Sequence, residues 1–331
     1  MLAALLTRIP SRHLSLAEVA EPTTPGPGEL LIEVQAGGIC GTDLHLLEGR
    51  SYRPELPFVL GPEPMGRVAA AGSAADAGWV GRRVTITLFT GDGTCPQCRA
   101  GDERLCPDLV SITGVLRAWG GFARGLVVRT AQALPLPDAI DDAAAASLVD
   151  AGATAANSVR VALAPDGALS VVVGGGPVGF FAAELLRAAG RRVTVVQPSR
   201  TRRDALEALG HVVVSSHQEI RERPAVVIDA AGAPHILPWA LEVLAPQGTF
   251  VAAGYGPIDR LDLTPMARRE IVVRGVRSGR RDDLQRLVDL VAAGSVRVPP
   301  ISSWPLADIN EALDALRAKR VPGKAVIDVA A

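Results

Sequence analysis

Cys40, Thr42, Asp43 and His45 stand within six residues of one another in GICGTDLH, Gly38 to His45. A thiol, a carboxyl and an imidazole so close together look like the start of a metal site. The Thr42 hydroxyl among them can donate and accept a proton. Further on the chain reads GPEPMG, in which Pro62 offers no donor atom and Glu63 follows it. A second group, Cys95, Cys98 and Cys106, has x2 and x7 spacing. In a chain with no evident export signal that spacing favours metal binding over disulfides.

The third group is glycine. VVVGGGPVGFFAAELL carries Gly174, Gly176 and Gly179 in G-x-G-x-x-G spacing, with Pro177 and Val178 between the last two. The pattern follows a strand-like run and opens a helix-like one, the context that makes it a dinucleotide site. Gly174 permits a tight turn, Gly176 lets a pyrophosphate approach the backbone, and Gly179 lets helix and strand pack closely. The helix N-terminus then offers its N–H groups to the phosphates. The competing reading is a glycine-rich turn without a ligand.

The end of the next strand selects the dinucleotide. An acidic residue there would hold the ribose hydroxyls. This chain has Gln197, Ser199 and Arg200, followed by Arg202 and Arg203. A neutral Gln does not repel a 2′-phosphate, and Arg200 can pair with one through its forked donors. The expectation is NADP(H) ahead of NAD(H); the alternative is that these arginines only solvate a helix start.

Two kinds of element must position these groups. Residues before about 150 form short β-like runs broken by Gly and Pro, such as ELLIEVQAG and GRRVTITLF, and read as a barrel-like all-β domain. Beyond that, strand and helix alternate: ALSVVVGGG, PVGFFAAELLRAAG, RRVTVVQ, TRRDALEALG, PAVVIDAAG. Alternation of this kind implies a doubly wound parallel sheet. The tail holds two amphipathic helices, RDDLQRLVDLVAAG and LADINEALDALRAKR, and ends in the strand GKAVIDVAA, expected to pack back on the first domain.

Composition narrows the partners. Hydrophobic residues make up 48% and charged residues 21% of 331, enough for buried cores in two domains. The net charge of −1 gives no reason to expect nucleic acid or a membrane surface as partner. Lysine is nearly absent, with only Lys319 and Lys324, which reads as a compositional habit. The first apolar run lacks a basic leader and a cleavage site, so a cytoplasmic location is expected.

Taken together, GPGELLIEVQAGGICGTDLHLLEG, the cysteine cluster, GGFARGLVV, VDAGATAANSV, the glycine motif and GKAVIDV resemble the zinc-type alcohol dehydrogenases of the medium-chain dehydrogenase/reductase family over nearly the whole chain. The resemblance implies an α/β protein with a GroES-like β-barrel catalytic domain (1–151), a Rossmann domain (152–278) and a return to the catalytic domain (279–331). It also implies a small-molecule substrate and assembly as a homodimer or homotetramer.

By the same resemblance a lobe with the pattern C-x2-C-x2-C-x7-C holds a structural zinc. Here its positions are Asp92, Cys95, Cys98 and Cys106. Zinc accepts a carboxylate oxygen, so one aspartate and three cysteines make a sound tetrahedron. The alternative is a metal-free loop with three reduced thiols.

The family's catalytic zinc uses positions that match Cys40, Pro62 and Asp150, with Glu63 keeping the acidic neighbour. Cys40 and Asp150 supply two ligands where about three are needed, and Glu63 would have to swing in. The expectation is loss of the catalytic zinc. Thr42 and His45 match the family's proton relay.

The leading reading is therefore an NADP(H)-dependent oxidoreductase moving hydride between nicotinamide and an alcohol/carbonyl pair or an activated alkene. The alternatives are a zinc alcohol or polyol dehydrogenase with a Cys40/Glu63/Asp150 site, and a non-enzymatic relative that binds NADPH.

Overall fold

The computed structural model describes residues 1–22, 24–162, 167–258 and 260–331. Its principal strands, in chain order, are β1 (Glu29–Gly38), β2 (Glu63–Ala71), β3 (Arg83–Ile86), β4 (Gly125–Arg129), β5 (Ala133–Pro135), β6 (Leu169–Val173), β7 (Arg192–Val196), β8 (Val212–Val214), β9 (Val226–Asp229), β10 (Thr249–Ala252), β11 (Val272–Gly275), β12 (Ile301–Pro305) and β13 (Lys324–Asp328). The helices that matter below are α1 (Gly41–Leu47), α2 (Asp142–Ser147), α3 (Ala153–Val161), α4 (Pro177–Ala188), α5 (Arg200–Ala208), α6 (Ile236–Val243), α7 (Arg281–Ala292) and α8 (Ile309–Arg317).

The chain forms two compact units. One comprises 1–150, 280–292 and 301–331; the other comprises 151–279 and 293–300. The expectation that everything after 279 joins the first unit is corrected for 293–300. The reason is Arg297: its guanidinium donates to both carboxylate oxygens of Glu184 on α4, at 2.7 and 2.9 Å, and to the Leu209 carbonyl at 2.8 Å. Glu184 is buried, so this ion pair fixes the segment on the second unit.

In the first unit a mostly antiparallel sheet runs β5-β3-β2-β1-β13-β12, with β4 also pairing with β1. Alternation explains β1: Leu30, Ile32, Val34 and Ala36 are buried while Glu33 between them is exposed. The tail does pack back, since β13 lies antiparallel to β1. Leu30, Ile32, Val34, Leu46, Leu47, Phe122 and Ile327 belong to one core.

In the second unit six parallel strands run β8-β7-β6-β9-β10-β11. β6 is buried at every residue, which fits LSVVV with its near-continuous apolar run. Among the described residues no helix is long and apolar enough to cross a membrane.

Candidate active site and metal centres

Register builds the first cluster. Gly38, the last residue of β1, lies opposite Glu63 on one side and Val326 of β13 on the other. Glu63 and Lys324 therefore meet at the end of β1, and a Cβ on Gly38 would strike both. Their charged ends pair directly, Nζ on Oε2. The carboxylate is fully buried and the lysine 2% exposed.

Cys40 follows two residues later as the N-cap of α1. Its sulfur accepts the Thr42 N–H at 3.4 Å, while its own N–H donates to Asp43 at 2.8 Å. Asp43 also accepts the Gly61 N–H at 3.2 Å. Burial pushes the Asp43 carboxyl up to about 8 against the pull of these donors.

Asp150 arrives from another direction. Asp141 caps α2 by accepting the Ala144 N–H, and the helix then widens into a π turn, Leu148–Gly152. π turns recur at functional sites because they re-aim one side chain. Here the turn carries Asp150, whose Oδ2 accepts the Cys40 thiol at 3.2 Å. Donor atoms of Cys40, Glu63 and Asp150 lie within 4.8 Å of one another. Burial, then the charges of Asp150 and Glu63, push the Cys40 thiol well above its usual range. Burial pulls the Lys324 ammonium down, but Glu63, Cys40 and Asp150 more than offset it, so the lysine is held above its ordinary value.

This cluster poorly fits a catalytic zinc. Pro62 contributes nothing, and Glu63 is engaged by an ammonium that a divalent ion would have to displace. Cys40 and Asp150 alone fall short of the usual three protein ligands. From sequence Lys324 reads only as part of a compositional habit; the signal of its role is that it is one of only two lysines and is set in an apolar strand. Thr42 sits in the cluster, its hydroxyl 3.5 Å from the Cys40 sulfur, and His45 lies half-buried one turn further along α1.

The cysteine lobe fits a metal well. Donor atoms of Asp92, Cys95, Cys98 and Cys106 lie within 4.8 Å of one another, close enough for one ion at bonds of about 2.0–2.3 Å. The loop is shaped for it: Asp92 accepts the Thr94 and Cys95 N–H groups at 2.8 and 3.0 Å, and Cys95 accepts that of Cys98 at 3.4 Å. Within the lobe, Asp102 is buried between Arg104 and Arg280.

In the second unit two glycines make a tight turn and a close contact. Gly174 has φ +95°, and a Cβ on Gly179 would collide with the Gly174 carbonyl. Pro177 and Val178 open α4 behind Gly176. Gln197 is buried at the end of β7, with its side-chain oxygen accepting the Ser199 N–H at 3.0 Å.

The arginines divide unexpectedly. Arg200 points outward, its side chain 86% exposed and 3.7 Å from Asp204. Arg202 brings its guanidinium to 3.6 Å from the position a Cβ would take on Gly176. Residues two apart on a helix face opposite sides, which separates the two. Arg203 is pinned to the Gln197 and Pro198 carbonyls.

Comparison with known proteins agrees in both units. Residues 26–138 match the family model described as alcohol dehydrogenase GroES-like domain, and 177–293 match zinc-binding dehydrogenase. A probable alcohol dehydrogenase of Mycobacterium tuberculosis is 35% identical, covering 92% of this chain and 89% of its own. An alcohol dehydrogenase of a Moraxella species is 29% identical over 99% of both chains. The cobalt- and zinc-bound thermostable alcohol dehydrogenase of Pyrobaculum aerophilum superposes with a TM-score of 0.89 at 30% identity, covering 99% of both chains.

Proposed function

The chain belongs to the zinc-type alcohol dehydrogenases of the medium-chain dehydrogenase/reductase family, NAD(P)-dependent oxidoreductases, and from that premise we propose an NADP(H)-dependent reductase with one structural zinc and no catalytic zinc. The observation that carries this reading is the buried Glu63–Lys324 pair beside Pro62. It removes one prospective ligand where another is already missing.

The nicotinamide, when bound, supplies or accepts the hydride. The glycine turn holds the pyrophosphate, and Gln197, Ser199 and an arginine of α5 read the 2′-phosphate. Cys40, Thr42 and Asp150 surround the reacting group, and Thr42 with His45 passes its proton. Asp92, Cys95, Cys98 and Cys106 hold the zinc, and reduced thiols there suit a cytoplasmic setting.

Purified protein washed with chelator and still folded should carry about one zinc per chain and still consume NADPH with a carbonyl or activated alkene. Two firmly held zincs would instead support the runner-up, a dehydrogenase with a Cys40/Glu63/Asp150 metal site. The closeness of those three donors favours that second reading.

Assembly as a homodimer or homotetramer is supported by β11, the last strand of its sheet, with Val272 39% and Val273 38% exposed. Such an edge is a template for pairing. Light scattering of wild type against Val273→Lys tests it; equal masses would exclude this edge.

A further inference from the structure

We infer that the substrate is a cation, an iminium ion whose C=N carbon takes the hydride. This rests on the zinc-free reading above and names the substrate class it serves.

The argument is one of charge. Reducing a ketone places negative charge on oxygen, and an active site must meet that charge with a metal, a cation or several aimed donors. The first-unit cluster offers the reverse. Its half-buried members are the Cys40 thiol, the Thr42 hydroxyl and the Asp150 carboxyl. Behind them lie two more carboxyl groups, Asp43 and Glu63, fully buried. The one ammonium in the cluster, Lys324, is buried too and paired with Glu63. Three carboxyl groups and a thiol thus surround one internal cation, and Asp150 is the one carboxyl among the half-buried members.

An alkoxide forming there would face the Asp150 carboxyl with only Thr42 and the thiol as donors. An iminium ion would be drawn to the same carboxyl, and it needs no Lewis acid because its carbon is already electrophilic. The step balances with one hydride. The iminium carbon gains hydrogen with its electron pair, the C=N π pair becomes the nitrogen lone pair, and the reduced nicotinamide is oxidised to its pyridinium form. No proton is required, so the Thr42–His45 relay stands idle for this substrate, and the product is a tertiary amine when the nitrogen is fully substituted.

The test compares N-methyl-3,4-dihydroisoquinolinium, a permanent cation, with 1-tetralone, a neutral ketone on a fused bicycle of similar size. NADPH consumption is followed at mildly alkaline pH. The expected kcat/KM for the iminium is roughly tenfold or more above the ketone, and Asp150→Asn should reduce that preference by roughly tenfold, as expected for one desolvated charge contact. A preference for the ketone, or equal losses for both substrates in Asp150→Asn, overturns the inference.

Should Asp150→Asn fail to fold, the wild type decides alone. N-methylquinolinium should inhibit roughly tenfold more strongly than neutral quinoline, and equal inhibition overturns the inference. Zinc is counted in the same sample. One zinc with ketone preference sinks the inference and leaves the zinc-free reading standing; two zincs sink both.

Discussion

Lys324 and Glu63 form an ion pair sealed beneath Gly38, with the carboxylate fully buried and the ammonium 2% exposed. Such a pair gains little over an apolar one, yet breaking it from one side leaves a bare buried charge. Lys324→Met should therefore cost about 3–5 kcal/mol in urea unfolding. The double variant Glu63→Gln/Lys324→Met should recover much of that loss. If the single variant is as stable as wild type, the pair is not the closed ion pair described here.

The lobe gives a simpler expectation. Asp92→Ala removes the one oxygen ligand and leaves three thiols, below the four of a closed structural site. Zinc per folded chain should fall from about one toward zero on chelator washing, with a lower melting temperature. Full retention would show that Asp92 is not a ligand.

Arg200 and Arg202 make opposed predictions about the cofactor. The outward, Asp204-facing side chain of Arg200 and the placement of Arg202 beside Gly176 favour Arg202 as the 2′-phosphate reader. Arg202→Ala should cost about 1.5–3 kcal/mol in NADPH affinity, the range for hydrogen bonds to charged groups, and leave NADH little changed. Fluorescence titration of both variants with both cofactors measures it. A larger loss in Arg200→Ala would restore the choice made from sequence.

The anchor at Arg297 carries a pH signature. Arg297 and His211 hold the buried Glu184 carboxyl far below its ordinary value of 4.5, although burial by itself raises it. A depressed carboxyl contributes stability that is complete above the unfolded value and is lost as pH falls toward the folded one. The wild type should thus lose stability steadily below about pH 4.5. In Arg297→Gln, stability near neutrality should be lower and this acid-side slope shallower, as read by unfolding at a series of pH values. An unchanged slope would mean that Glu184 titrates alike with and without Arg297.

Much of this was legible in the chain because it is local. Gly174 and Gly179 are demanded by a turn and a contact five residues apart, and the lobe cysteines share one loop, so spacing carries the information. The Glu63–Lys324 pair is not local. Its partners lie far apart in the chain and meet only because β1 is flanked by β2 and β13, a register no window of sequence displays. Arg202 was legible in principle, but only once helical phase was weighed against position in the motif. The segment 293–300 was misassigned for the same reason as the pair: Arg297 finds Glu184 through the fold, not through the chain.

Pro62 remains the residue on which the zinc-free reading turns. Restoring the imidazole with Pro62→His would place a nitrogen donor next to Glu63 and across the cluster from Cys40 and Asp150, whose sulfur and oxygen already lie 3.2 Å apart. Histidine, cysteine and aspartate would then supply three ligands without drawing Glu63 away from Lys324, which meets the usual count for a catalytic zinc with one open position. Zinc per chain should rise from about one to about two, and cobalt substitution should add a second thiolate charge-transfer band. Oxidation of simple alcohols should appear or increase, since a Lewis acid now stabilises the alkoxide. If wild type already shows the second band, the site was a metal centre from the start. If the folded Pro62→His protein gains no metal, the missing imidazole is not what keeps zinc out.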